Sequence, residues 1–214
     1  MRHEKNLTRR RGGAEEPAER ASLGSFRTAA SPRRLVLIVS VLALSACLQP
    51  KPLPVMGDAP KFQLTAEDGQ PFDSQALNGH VWVADFVYTT CPGPCPMMSS
   101  HMHQIQTLTA ETPDVRLVSF TVDPKHDTPP VLAEYARHFK YDPARWFFLT
   151  GDQARMNDAG LGFKLNSVDG SLTHSTRFVL IDQREQVRGY YIDSDDGMIQ
   201  HLVHDIRQLE RQSS

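Results

Sequence analysis

One stretch, HVWVADFVYTTCPGPCPMM at residues 80–98, constrains the fold more than any other part of the chain. Its first nine residues are rich in β-branched and aromatic side chains, which predicts a buried strand. After the two cysteines, Met98, Met102 and Ile105 recur at helical spacing and predict an amphipathic helix from residue 95 to about 110. A buried strand that passes directly into a helix favours an α/β fold.

The remaining hydrophobic pattern predicts a second strand–helix unit, a strand pair and a final helix. The further elements are a strand at 115–123, a helix with Thr128 as its N-cap, a strand at 145–151, a helix at 152–158, an antiparallel pair within 176–192 and a helix at 197–212. Residues 61–72 predict an additional hairpin, with Asp68 and Gly69 in its turn. Because two β-α-β units followed by a hairpin and a helix are the thioredoxin arrangement, we predict an α/β, thioredoxin-like fold. It has an extra N-terminal hairpin and a histidine-bearing loop before the C-terminal strands.

The first 47 residues have the pattern of a bacterial lipoprotein signal. Residues 1–34 carry nine basic and four acidic side chains, and residues 35–46 carry no charge, which is the charge order of a secretory signal. The sequence LSAC, which ends at Cys47, matches the lipobox, in which a signal peptidase cuts before a lipidated cysteine. An uncleaved membrane anchor is disfavoured, because the apolar run of fourteen residues is shorter than the roughly 17 to 25 that span a bilayer.

This pattern divides the chain into three parts. We predict a signal segment at 1–46, a proline-rich tether at 47–60 that begins with lipidated Cys47, and a folded domain at 61–214. The lipid would anchor the domain on the periplasmic, outer side of a membrane in the bacterial cell envelope. Without the signal segment the chain carries 14 basic and 21 acidic side chains, and this acidic balance argues against a nucleic-acid partner.

The cysteine pair has three open interpretations: a structural disulfide, a redox couple or two metal ligands. With Cys47 lipidated, Cys91 and Cys95 are the only thiols of a domain in an oxidising compartment. A disulfide across so short a loop restrains the unfolded chain little, which disfavours a structural role. A helix N-terminus lowers the pKa of a thiol, as redox chemistry and metal binding both require. Two soft thiolates suit Cu(I) and are too few for a structural zinc site.

A copper site needs a third ligand, and the histidines are the candidates. His101 follows the cysteines on the predicted helix, where a solvated surface position is the favoured interpretation. His174 stands in an irregular segment before a strand, and spacing alone favours a hydrogen-bonded loop histidine over a ligand. For Met98 and Met102, core packing is favoured over thioether ligation.

Four blocks of the sequence together resemble the Sco/SenC family: DFVYTTCPGPCP, VSFTVDPKHDTPPVLAEYA, FLTG and HSTRFVLID. Its members are membrane-tethered, thioredoxin-fold copper proteins that assist assembly of the CuA centre of cytochrome c oxidase. The resemblance covers roughly residues 60–210 and implies Cys91, Cys95 and His174 as copper ligands, chiefly for Cu(I), with Cu(II) as the second oxidation state. It also matches Asp123 to a signature position, where we expect a role in loop structure. Thr173 stands where many members have an acidic residue, so the site is expected to be tuned differently.

The resemblance implies a copper chaperone or assembly factor that helps to metallate the oxidase. Its partner would be the copper-accepting subunit, with another periplasmic copper carrier or a thiol reductant as a further partner. The alternative is a thiol–disulfide reductase that keeps the cysteines of that subunit reduced, with Cys91 as nucleophile and a Cys91–Cys95 disulfide as its oxidised form. We therefore expect a metal carrier rather than a conventional enzyme, or else a dithiol oxidoreductase, and His174 distinguishes the two because only copper binding requires it.

Overall fold

This computed structural model describes residues 51–112, 114–165 and 175–212. The strands within these ranges form one mixed sheet. Its strands are β1 (Gly57–Asp58), β2 (Gln63–Ala66), β3 (Pro71–Asp73), β4 (Trp82–Val87), β5 (Arg116–Thr121), β6 (Trp146–Thr150), β7 (Arg177–Ile181) and β8 (Gln186–Ile192). They lie in the order β1-β8-β7-β4-β5-β6-β2-β3. β5 pairs in parallel with β4 and with β6, and the other pairs are antiparallel.

Four α-helices accompany this sheet in the same described ranges. They are α1 (Pro94–Leu108), α2 (Pro129–His138), α3 (Gln153–Gly162) and α4 (Met198–Arg211), and a short 3-10 helix spans Ser74–Leu77. Helices α1 and α2 connect the three parallel strands, so the two predicted β-α-β units and the thioredoxin-like fold are confirmed. Helix α3 runs four residues beyond its predicted end at 158 and includes Gly160 and Gly162.

The side chains of β4 divide the core into two clusters, one on each face of the sheet. Successive strand residues face opposite sides, so Trp82 and Phe86 belong to the cluster that includes Met156 of α3. Val83 and Val87 belong to the other cluster, which includes the buried side of α1 and of α4. The face of β4 that carries Val83 and Val87 therefore lies beneath the helix that follows the cysteines.

The predicted N-terminal hairpin is confirmed and becomes one end of the sheet. β2 pairs with β3 across a turn in which the amide of Gly69 donates to the carbonyl of Ala66 (2.9 Å). Gly69 has a φ of 82°, a left-handed conformation that glycine adopts without steric cost. β2 also pairs with β6, so the hairpin adds two strands beside the parallel core.

The proline-rich segment that precedes the hairpin lies against the domain from Lys51 onward. The carbonyl of Lys51 accepts a hydrogen bond from Gln208 of α4 (2.8 Å), and Arg188 donates to the carbonyls of Pro54 (3.0 Å) and Leu53. β1, within the same segment, pairs with β8. Three carbonyl groups of this segment thus accept hydrogen bonds from side chains of the domain. Cys47 and the signal segment lie outside the described residues, and among the described helices none has the length and apolarity to cross a membrane.

Candidate metal centre

The two cysteines lie where β4 passes into α1, at the junction that the sequence predicts. β4 ends at Val87, and the amide of Cys91 donates to the carbonyl of Tyr88 (3.3 Å), which closes a turn. Helix α1 begins at Pro94, so Cys95 lies in its first turn and Cys91 just before it. Cys91 is 7% exposed and Cys95 is completely buried, and both are free thiols.

The pKa of Cys91 is lowered and the pKa of Cys95 is raised. Burial raises the pKa of Cys91, but hydrogen bonds donated to its sulfur outweigh burial and lower that pKa below its ordinary value. The donors are the thiol and amide of Cys95, the amide of Gly93 and the hydroxyl of Tyr88. Burial raises the pKa of Cys95, and the hydrogen bond that it gives to Cys91 raises it further. Near neutral pH, Cys91 therefore carries the larger thiolate fraction.

Iodoacetamide at pH 7 is expected to alkylate Cys91 at least about tenfold faster than Cys95, because the thiolate is the reacting form. The rates are measured under argon on reduced protein between pH 5 and 9, with fragment-ion mass spectrometry to separate the two sites. In a Cys91→Ser variant, Cys95 should remain slow, which controls for competition between the thiols. Equal rates at the two cysteines would contradict the assigned difference in acidity.

His174, the predicted third ligand, lies outside the described residues. Within the described ranges, no group of three or more His, Cys, Asp or Glu side chains could hold a metal ion. The structure therefore brings together two of the three predicted ligands, Cys91 and Cys95.

His101 is held by a carboxylate and is not the solvated surface residue that the sequence favoured. Its Nδ1 lies 2.7 Å from Oδ1 of Asp193, and its side chain is only 21% exposed. Its ring lies beside Phe178, with the ring centroids 6.5 Å apart. Met98 and Met102 are fully buried in the core, as predicted.

β4 carries a carboxylate that its hydrophobic pattern conceals. Asp85 is completely buried on the face of β4 that α1 covers, and neither of its carboxyl oxygens has a hydrogen-bond partner among the described residues. Burial raises its pKa to about 7 and the charge of Asp193 raises it as well, whereas the nearby hydroxyl dipole of Ser119 opposes this rise in part without forming a well-aligned hydrogen bond. The charge of Asp85 in turn contributes to the raised pKa of Cys95. The sequence signal was available, since strand alternation assigns Asp85 to the same face as two valines.

A second buried carboxylate, Asp127, lies in the loop between β5 and α2. It is completely buried and accepts hydrogen bonds from Thr89 and Thr121. The carbonyl of Asp123 accepts from the amides of His126 (3.1 Å) and Asp127 (2.9 Å), which agrees with the expected loop role of Asp123. No sequence pattern distinguished Asp127 from the exposed acidic residues.

Comparison with known proteins finds relatives that are described as members of the Sco family. A crystal structure of a SCO1/SenC family lipoprotein from Bacillus anthracis str. Ames is 34% identical, covers 72% of this chain and 95% of its own, and gives a TM-score of 0.66. BsSco, described as a member of the Sco family of cytochrome c oxidase assembly proteins with a disulfide switch, is 28% identical. It covers 76% of this chain and 99% of its own, with a TM-score of 0.67.

A more distant structure shares the fold. It is ScoI of Bradyrhizobium japonicum with copper bound, at 22% identity and a TM-score of 0.59, and it covers 71% of this chain and 99% of its own. The model of the SCO1/SenC family matches residues 56–210, a range that includes all eight strands of the described sheet. This chain therefore belongs to the SCO1/SenC family.

Proposed function

We propose that this protein binds Cu(I) through Cys91, Cys95 and His174 and delivers it to the copper-accepting subunit of cytochrome c oxidase. The observation that carries the proposal is the pair of reduced thiols in hydrogen-bond contact at the start of α1. Two sulfur ligands on adjacent turns suit a soft monovalent ion, and they fall short of the four ligands of structural zinc. The description of BsSco as a member of the Sco family of cytochrome c oxidase assembly proteins supports an oxidase subunit as the partner.

Copper is the cargo in this proposal, and the burial of the two thiols determines from which side an acceptor can reach it. Cys95 is completely buried, whereas Cys91 retains 7% of its surface. An incoming thiolate of the acceptor therefore meets the copper from the side of Cys91 and adds to it before a ligand of this chain departs. A carrier with few ligands permits such exchange, because the ion has room for one more donor.

The proposal includes a lipid anchor at Cys47 that keeps the domain on the outer side of the membrane. Support comes from the LSAC sequence and from the description of the Bacillus anthracis relative as a lipoprotein. Only three residues separate Cys47 from Lys51, whose carbonyl accepts a hydrogen bond from α4. An anchored domain would thus remain close to the membrane surface.

A second candidate function is reduction of disulfides in the oxidase subunit. The contact between the sulfurs of Cys91 and Cys95 favours it, because the same two thiols can close a disulfide after attack on a substrate. The disulfide switch described for BsSco is in keeping with this chemistry. This function uses only the cysteines and has no need of His174.

Titration of the reduced protein with Cu(I) against a chromophoric chelator tests the proposal. We expect one equivalent to bind, and His174→Ala to weaken binding by at least about tenfold, since even changes outside the ligand shell commonly cost 10- to 100-fold. His138→Ala, at an exposed position of α2, is the matched control and should bind as the wild type does. Failure of the wild-type protein to compete with the chelator would refute copper binding. Unchanged dithiol exchange in His174→Ala would then support the reductase.

A further inference from the structure

A buried carboxylate beside the cysteine turn has nearly all of its hydrogen-bonding capacity filled. Asp127 accepts from the amide of Thr89 (3.1 Å), from Oγ1 of Thr89 (2.5 Å) and from Oγ1 of Thr121 (2.5 Å). Nδ1 of His126 lies 3.1 Å from the same carboxylate. A buried polar side chain is tolerated only when it is hydrogen-bonded, and these bonds join Asp127 to the segments around Thr89 and Thr121.

These bonds continue the contact between β4 and β5 beyond the end of their pairing. The last register pair is Val87 with Thr121, and the amide of Val122 still donates to the carbonyl of Val87 (2.9 Å). Past that point β5 gives way to a loop, and the amide of Thr89 takes its acceptor from the side chain of Asp127. The carboxylate of Asp127 thus accepts the backbone hydrogen bond that a neighbouring strand would otherwise accept.

Thr89 belongs to the turn that delivers Cys91. This turn runs from Tyr88 to Cys91, whose amide donates to the carbonyl of Tyr88. Asp127 binds Thr89 through both its amide and its hydroxyl, so neither the peptide nor the side chain of this turn residue is free to reorient. The position of the Cys91 sulfur relative to Cys95 therefore depends on a residue 38 positions away from Thr89 in sequence.

We propose that Asp127 is a positioning residue for the cysteine pair. By fixing the turn before Cys91, it keeps the two sulfurs close and so raises the effective concentration of one thiol at the other. Formation of the disulfide joins the sulfurs and transfers two electrons and two protons to an oxidant, here oxidised dithiothreitol. The same preorganisation favours convergence of both sulfurs on one metal ion. Only this second effect rests on the proposed function.

The test compares Asp127→Asn and Thr89→Val with a control at Asp182. Asp182 is 3% exposed and accepts from the amides of Arg184 and Gln186, both at 2.9 Å, in the hairpin between β7 and β8. Asp182→Asn therefore removes a similarly buried carboxylate away from the thiols. Thr89→Ser restores the hydroxyl and serves as the conservative variant.

Equilibration of the full-length chain in detergent with dithiothreitol redox buffers gives the first readout. Mass spectrometry of the tryptic peptide 62–116, which contains both cysteines and no other, reports the fraction oxidised. We expect Asp127→Asn and Thr89→Val to lower the equilibrium constant for disulfide formation about tenfold, which raises the reduction potential by about 30 mV. Cu(I) affinity should fall by about tenfold as well. Asp182→Asn and Thr89→Ser should leave both quantities unchanged.

A folded Asp127→Asn variant with wild-type potential would overturn the inference, as would an equal shift in Asp182→Asn. If Asp127→Asn does not fold, as judged by near-UV circular dichroism, Thr89→Val decides alone, because it keeps the carboxylate and removes one donor. An unchanged potential in Thr89→Val then overturns the inference. A wild-type protein that binds no Cu(I) would refute the proposed function, and the comparison of potentials would still decide the role of Asp127.

Discussion

Replacement of Cys91 or Cys95 by serine is expected to abolish tight binding of Cu(I). Serine presents a hard, protonated hydroxyl in place of a soft thiolate, and Cu(I) prefers the latter strongly. Changes outside a ligand shell commonly cost 10- to 100-fold in affinity, so the loss of one of three ligands is expected to cost at least about a thousandfold. Competition of the reduced protein against a chromophoric Cu(I) chelator under argon measures the change.

Met98→Leu is the matched control for these substitutions. Met98 is another sulfur-bearing residue near the thiols on α1, and it is completely buried in the core. Exchange of methionine for leucine nearly conserves volume and is usually tolerated. We expect its Cu(I) affinity to equal that of the wild type. A loss in Met98→Leu as large as that in Cys91→Ser would instead implicate the thioether as a ligand, and wild-type affinity in both serine variants would refute the site.

The central elements of the fold could be predicted because their signals are local. β4 is apolar except for Asp85, and α1 repeats its buried methionines at helical spacing, so neither assignment needs knowledge of a distant residue. β1 gave no such signal. It has two residues within a proline-rich segment, and it exists because β8 supplies its partners from the far end of the chain. Its pairing is a tertiary property, which hydrophobic pattern does not encode.

The residues of the candidate site also differ in whether their signals are local in sequence. Cys91 and Cys95 were identified because their spacing and their place before a helix are visible in the sequence. His101 was misinterpreted because its partner, Asp193, lies 92 positions away. Asp127 was missed for the same reason, since its contacts with Thr89 join segments 38 positions apart. The candidate ligands Cys91 and Cys95 could thus be predicted from the sequence motif. The residues that contact this motif from distant parts of the chain could be identified only in the folded structure.

Asp85→Asn is expected to stabilise the protein at neutral and alkaline pH. Burial raises the pKa of Asp85 to about 7 from an ordinary value of 3.8, so the unfolded chain releases this proton at lower pH than the folded chain does. Stability is therefore lost as pH rises from about 4 to about 7, by at most about 1.4 kcal/mol per pH unit. Asparagine has no charge to bury, so above pH 7 the variant should gain about 2–4 kcal/mol in the free energy of unfolding.

Urea unfolding of reduced, metal-free protein between pH 4.5 and 8 measures this gain, and its pH dependence separates charge burial from altered packing. A packing effect of the amide would change stability by the same amount at every pH. A charge effect grows from pH 4.5 to about 7 and is constant above it. Asp196→Asn, at an exposed position near the start of α4, controls for the loss of a carboxylate as such and should differ little from the wild type. A gain in Asp85→Asn that is already complete at pH 4.5 would show that Asp85 is ionised in the folded protein throughout this range.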